Sequence, residues 1–302
     1  MLLYYKNLAI YARKEPAMNV ISLTLNEQQI QKLVQTYQEC LVKPSSPYIS
    51  YQLKVENCVI TIYTSKKVVF QGKDAEIYAS SFQTISTQIY PQAGSDEVGT
   101  GDYFGPVCVC ACIVQEKDKA LLQKLHINDS KQIKDEDIRR IGKELIQVLP
   151  YSLCILDNKK YNEIHAQNNM NMIKAKLHNQ CYLHLEKKAG KLPSFKVVDQ
   201  FTFERSYYQY LNGQPTVIGN IHFETKAESK YDAVACASII ARYAFLQAWD
   251  VMEEKYKMTF IKGASDKVDA NIVEFINKYG KDELHNVAKL HFQNTNKAMA
   301  LL

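Results

Sequence analysis

No stretch of this 302-residue chain is apolar for long enough to cross a bilayer, so the expectation is a soluble protein with no membrane partner. A secretory leader is not recognisable either. Residues 1–17, from Met1 to Ala17, turn too polar after Ile10 for a signal peptide, and we read them as an extension upstream of Met18 as the functional start. The eight cysteines lack the spacing of a paired framework, which excludes a disulfide scaffold and points to a reducing, cytoplasmic setting. A strong basic excess is also missing. The net charge of +5 permits nucleic-acid binding without demanding it. What is present is ordinary for a globular protein, 46% hydrophobic and 23% charged residues, in a chain long enough for two modest domains.

The first of these spans residues 18–88. Val20 to Leu25 reads as extended, and Asn26 caps a helix whose Ile30, Leu33, Val34 and Tyr37 share one face. Lys43-Pro-Ser-Ser-Pro47 ends that helix. Tyr51, Leu53 and Val55, then Val59, Thr61 and Tyr63, then Val68 to Phe70 alternate as a tightly linked meander, closed by a helix from about Ala75. A small antiparallel sheet with helices on one side leaves its other face free. The polar segment Gln83 to Gln92 links this unit to the domain at 89–302. There, strands are expected at Ala93 to Glu97, Val107 to Gln115, Tyr151 to Leu156 and Lys196 to Asp199. Helices are expected at Asp135 to Leu149, Asn171 to Ala189 and Ser229 to Lys257. That mixture predicts an α/β domain, a mixed sheet flanked by helices. Cys108, Cys110 and Cys112 fall on one face of their strand, and we favour buried apolar packing for them over a metal site.

The chemistry concentrates at polar ends of buried segments. Asp96 and Glu97 close a strand and are followed at once by Gly99-Thr100-Gly101. Adjacent strand side chains point to opposite faces, so these two carboxylates can serve one site only where the backbone bends, as the glycines allow. A dinucleotide fingerprint built on Gly99, Gly101 and Gly105 has the wrong last spacing and no following helix. Three further segments carry polar groups in the same way: Asn128-Asp129-Ser130-Lys131, Val197-Val198-Asp199-Gln200, and Lys226-Ala227-Glu228 ahead of the helix with Ala237-Ser238-Ile239.

Taken in this order, the four motifs resemble the type 2 ribonucleases H, and within them ribonuclease HIII, over roughly residues 90–295. The resemblance implies a ribonuclease H-like catalytic domain preceded by a small α+β unit like the TATA-binding protein. It implies an endonuclease that cuts the RNA strand of RNA–DNA hybrids to leave 5′-phosphate and 3′-hydroxyl ends.

 The same resemblance makes Asp96, Glu97, Asp199 and Glu228 the catalytic, metal-holding carboxylates. It makes Gly99, Thr100 and Gly101 the reader of the ribose 2′-hydroxyl, and Ser130, Lys131 and Lys226 contacts to the substrate's phosphates. The cofactor expected is Mg2+, with Mn2+ able to substitute, and the protein is expected to act as a monomer. Asp232 competes with Glu228 for the fourth place, Ser238 and Arg242 are weaker candidates, and His291 in Lys289-Leu-His291-Phe292 is as well explained by packing as by chemistry. No histidine stands within the acidic motifs, which argues against a zinc hydrolase. The nearest rivals are incision at single embedded ribonucleotides, as in ribonuclease HII, and a catalytically silent hybrid-binding protein.

Overall fold

The structure, a computed structural model, describes residues 19–80, 89–127 and 133–302. The proposed extension at 1–17, most of the linker, and Ser130 and Lys131 lie outside the described residues. The chain divides into two compact units, Met1–Ser86 and Thr87–Leu302.

In the first unit, strand β1 (Val20–Thr24) leads into helix α1 (Glu27–Thr36). The Asn26 side chain accepts the Gln29 amide at 2.9 Å, and the Gln29 side chain accepts the Asn26 amide at 2.9 Å, which satisfies two otherwise open donors at the helix start. After α1 come β2 (Leu41–Val42), β3 (Ile49–Val55), β4 (Cys58–Tyr63), β5 (Lys67–Gly72) and helix α2 (Ala75–Ser80). The sheet order is β1-β5-β4-β3-β2, with every neighbouring pair antiparallel. Alternation sends Leu53, Ile60, Ile62, Val68 and Phe70 into one core with Ile30 and Leu33 of α1 and Ala75 and Ala79 of α2. The register places Gln52, Thr61, Val69 and Ser22 in one row across the other face. The short β2 was not anticipated, because two residues carry no period of their own.

The second unit is built on β6 (Gln92–Val98), β7 (Val107–Val114), β8 (Tyr151–Leu156), β9 (Phe195–Asp199) and β10 (Ile221–Glu224), in the order β10-β9-β6-β7-β8. Strands β6, β7 and β8 form an antiparallel meander, while β9 and β10 run parallel to β6. The mixed sheet expected from sequence is therefore present. Its helices are α3 (Lys119–Lys124), α4 (Asp135–Val148), α5 (Asn158–His165), α6 (Met170–Ala189), α7 (Glu204–Tyr210), α8 (Asp232–Tyr256), α9 (Asp266–Tyr279) and α10 (Gln293–Met299).

Strand β7 shows why the sheet is covered on both faces. Cys108, Cys110 and Cys112 pack with α4 and α8 residues such as Leu145 and Ile240, whereas Val107, Val109 and Ala111 pack with α6 residues such as Tyr182 and Leu185. All eight cysteines are free, and burial pushes the Cys108 thiol up to about 12. Helix α8 lies close against β6. A Cβ on Gly94 would stand 2.3 Å from the Val234 amide nitrogen, so only glycine admits this approach.

Candidate active site

Strands β6 and β9 are parallel neighbours paired from Gln92↔Phe195 to Ser95↔Val198, so the next residues, Asp96 near the end of β6 and Asp199 at the end of β9, fall side by side. Such strand ends are where open α/β sheets place their ligands. Asp96 is 8% exposed and hydrogen-bonds Ser238 of α8. Burial pushes its carboxyl well above the usual carboxylate range, and the charges of Glu97 and Asp199 push the same way. The Asp199 Oδ1 accepts the Ala227 amide at 2.9 Å, which fixes the turn carrying Glu228 beside it.

Glu97 faces the opposite layer. Its Oε1 accepts the Lys174 ammonium at 2.8 Å, and its Oε2 meets His178 Nε2 at 2.8 Å, both groups coming from α6. Burial favours the neutral form, but the hydrogen bond and charge of His178, with those of Lys174, outweigh it and hold Glu97 below the usual range. His178 is fully buried, and its Nδ1 lies 2.7 Å from Ser95 Oγ, which itself donates to the Cys110 carbonyl at 2.8 Å. Each ring nitrogen thus has an oxygen within hydrogen-bond distance, one of Glu97 and one of Ser95. Lys174 also sits 4.0 Å from the centre of the Phe201 ring, on which His178 stacks.

Sequence reasoning missed Lys174 and His178. Their i, i+4 spacing on one helix was the available signal, since it puts a lysine and a histidine on one face. The acidic motifs contain no histidine, yet the fold delivers one to Glu97.

The long helix expected from Ser229 begins instead at Asp232. Ala227–Ser229 forms a separate 3-10 turn, with Lys226 in the left-handed region at φ 56° and Tyr231 extended. Glu228, 6% exposed, therefore does not share a helical face with Asp232. The Asp232 carboxylate accepts the Tyr90 hydroxyl beside the start of β6, while Asp96 is near its end. Lys226 is exposed. Arg242 is committed to Asp135 at 2.6 Å.

In the turn after β6, Gly99 has φ 93°, and a Cβ there would stand 2.2 Å from the Pro106 carbonyl oxygen. Gly101 is different, because nothing lies within 4 Å of its would-be Cβ. Gly99 is demanded by packing, whereas Gly101 leaves backbone open to an approaching ligand. Thr100 lies between them, half-buried. Asp102 accepts the Gly263 amide at 2.6 Å, and the fully buried Lys289 donates to the Asp102 carbonyl at 2.8 Å, so this end of the turn is tied to the carboxy-terminal segment. His291 stacks on His165 at 4.1 Å and lies 3.3 Å from the Tyr161 hydroxyl, and burial lowers it to about 4.

Among the described residues, no three His, Cys, Asp or Glu side chains converge into a ready ligand set. The donors nevertheless suit a hard divalent cation. They are all carboxylate oxygens, and Asp96, raised first by burial and then by the charges of Glu97 and Asp199, is a group whose ionised form such an ion would favour. Among the described residues, no helix is long and apolar enough to cross a membrane.

A mixed sheet with acidic residues at the ends of β6 and β9 defines the ribonuclease H class of nucleases. A family profile described as Ribonuclease HII matches residues 93–295, and one described as a domain of unknown function (DUF3378) matches residues 20–93. Ribonuclease HIII of Bacillus cereus is 41% identical over 309 residues, covering 94% of this chain and 99% of the relative. The solved structure of Bst-RNase HIII in complex with Mn2+ is 33% identical, with a TM-score of 0.70 over 94% of this chain and 99% of that one. Ribonuclease H2 from Pyrococcus horikoshii, 22% identical with a TM-score of 0.58 over 70% of this chain and 97% of its own, shares the fold. The chain belongs to the ribonuclease HIII family, and it is an endoribonuclease.

Proposed function

We propose that the chain cleaves the RNA strand of RNA–DNA hybrids, with Asp96, Glu97, Asp199 and Glu228 holding Mg2+, or Mn2+ in its place, and leaves 5′-phosphate and 3′-hydroxyl ends. The observation that supports this most directly is the pair of carboxylates, Asp96 and Asp199, side by side near the ends of adjacent parallel strands, with Glu97 next in sequence to one and Glu228 next in sequence to the Ala227 amide that bonds the other. When bound, the divalent ions supply water activation and charge stabilisation for phosphodiester hydrolysis. The chain's own part is to hold the carboxylates and position the substrate. Asp199 is oriented by the Ala227 amide and Asp96 by Ser238. The open backbone at Gly101 suits close approach of a ribose, whose 2′-hydroxyl both donates and accepts. Lys226, exposed beside Glu228, suits a phosphate contact, and Ser130 and Lys131 are proposed for the same role on sequence alone.

The first unit, residues 18–88, serves as the substrate-binding domain in this reading, with the protein working as a monomer. Eight free cysteines suit a reducing cytoplasm. Digestion of a full hybrid beside a duplex with a single embedded ribonucleotide, each with a chelator control, tests the assignment. Metal-dependent cutting of the hybrid is expected. Preference for the single ribonucleotide would support ribonuclease HII-like incision, and binding without cutting would leave a hybrid-binding protein.

A further inference from the structure

We propose that Lys174, together with His178, holds Glu97 in place of a divalent ion and competes with that ion for the carboxylate. This rests on the reading of Glu97 as a metal ligand. Both Glu97 oxygens are engaged, Oε1 by Lys174 and Oε2 by His178, each at 2.8 Å. The cradle is built rather than incidental. The Lys174 side chain is 9% exposed and that of His178 0%, and the far nitrogen of His178 is anchored through Ser95 to the β7 backbone. Removing an ammonium from water is costly, and a lysine kept there without its acidic partner would weaken the fold. The cradle also lies on the α6 side of β6, whereas Asp96 reaches Ser238 on the α8 side.

Charge decides the consequence. A doubly charged ion feels the Lys174 charge twice as strongly as a proton does, so removing that charge strengthens metal binding even against proton competition. The negative phosphate of an arriving hybrid acts in the same sense, so metal loading and substrate arrival reinforce each other.

The test is calorimetric titration of the whole protein with Mn2+ alone, without nucleic acid, at about pH 8. Lys174→Gln should bind Mn2+ about tenfold more tightly than the parent, from loss of one nearby charge. Lys174→Arg, which keeps the charge, should bind like the parent. Unchanged or weaker binding by Lys174→Gln would overturn the proposal. Glu97→Gln separates the underlying reading. If it weakens Mn2+ binding while Lys174→Gln changes nothing, the ligand assignment stands and the competition fails. If it leaves Mn2+ binding untouched, the ligand assignment itself fails. A crystal structure of the unsubstituted protein with Mn2+ covers the case in which Lys174→Gln does not fold. Glu97 should have left Lys174 for the ion, and finding it on the ion with both cradle bonds intact would refute the competition.

Discussion

Two neighbouring acids on one strand carry opposite electrostatic histories. Asp96 is pushed up by burial and by the charges of Glu97 and Asp199, while Glu97 is held down by His178 and Lys174. The folded state thus keeps a proton on Asp96 at a pH where the unfolded chain has released it. Stability falls as pH rises from the ordinary carboxylate range into the raised one, and the penalty persists above. Asp96→Asn should therefore raise the melting temperature by about 2–4 °C at pH 8 in chelator, the shift expected of roughly 1 kcal/mol. At pH 4 the gain should vanish. The same variant, like Asp199→Asn, should lose about a thousandfold or more in hybrid cleavage, and near-normal cleavage by either would remove it from the site. Glu228 and Asp232 are separated in the same way. Alanine at Glu228 should abolish Mg2+-dependent cleavage. Alanine at Asp232, which removes the Tyr90 hydrogen bond, should leave most of the rate, and the reverse order would move the fourth ligand to Asp232.

The glycine turn and the β6–α8 contact make different demands on the same residue type. Gly94→Ala would press a methyl group onto the Ala233–Val234 backbone, and Gly99→Ala adds a positive φ to a clash with Pro106. Each should cost about 1–3 kcal/mol or more in a denaturant melt, as overpacking does. Gly101→Ala meets open space, so its melting curve should overlay the parent's while cleavage of the hybrid falls and discrimination between ribose and deoxyribose narrows. A stable Gly101→Ala protein with unaltered discrimination would shift the 2′-hydroxyl reader elsewhere. Helix α6 extends the lesson to a whole element. It buries Lys174, His178 and Asn179 beside Ile173 and Tyr182, and so lacks the clean polar and apolar faces from which a helix's buried side is read.

At the scale of the molecule, the antiparallel sheet of residues 20–72 presents the row Gln52, Thr61, Val69 and Ser22, with the exposed Lys54 nearby, on the face that α1 and α2 leave uncovered. Lysines such as Lys54, Lys66 and Lys67 suit the phosphate backbone of a hybrid, a contact that weakens steeply with salt. Deleting residues 1–88 should raise KM far more than it lowers kcat and should flatten the salt dependence of binding, since the carboxylates stay on the other unit. Unchanged affinity and salt slope would reduce the first unit to an appendage, and loss of turnover at saturating substrate would make it part of the catalytic apparatus.

The sequence by itself determined most strands of both sheets, β2 and β10 excepted, because period-two and helical patterns are local, and its four motifs marked Asp96, Glu97, Asp199 and Glu228 as the candidate carboxylates. The partners of those carboxylates were a tertiary matter. Lys174 and His178 lie more than seventy residues beyond Glu97, and only the packing of α6 on β6 brings them to it. The break before α8 was hidden for a related reason. Residues 229–257 have helical spacing, but bonding of the Ala227 amide to Asp199 stabilises a separate turn and leaves Tyr231 extended. Local pattern decides which segments form. Burial decides which charges must find each other, because an acid removed from water needs a partner wherever in the chain that partner lies.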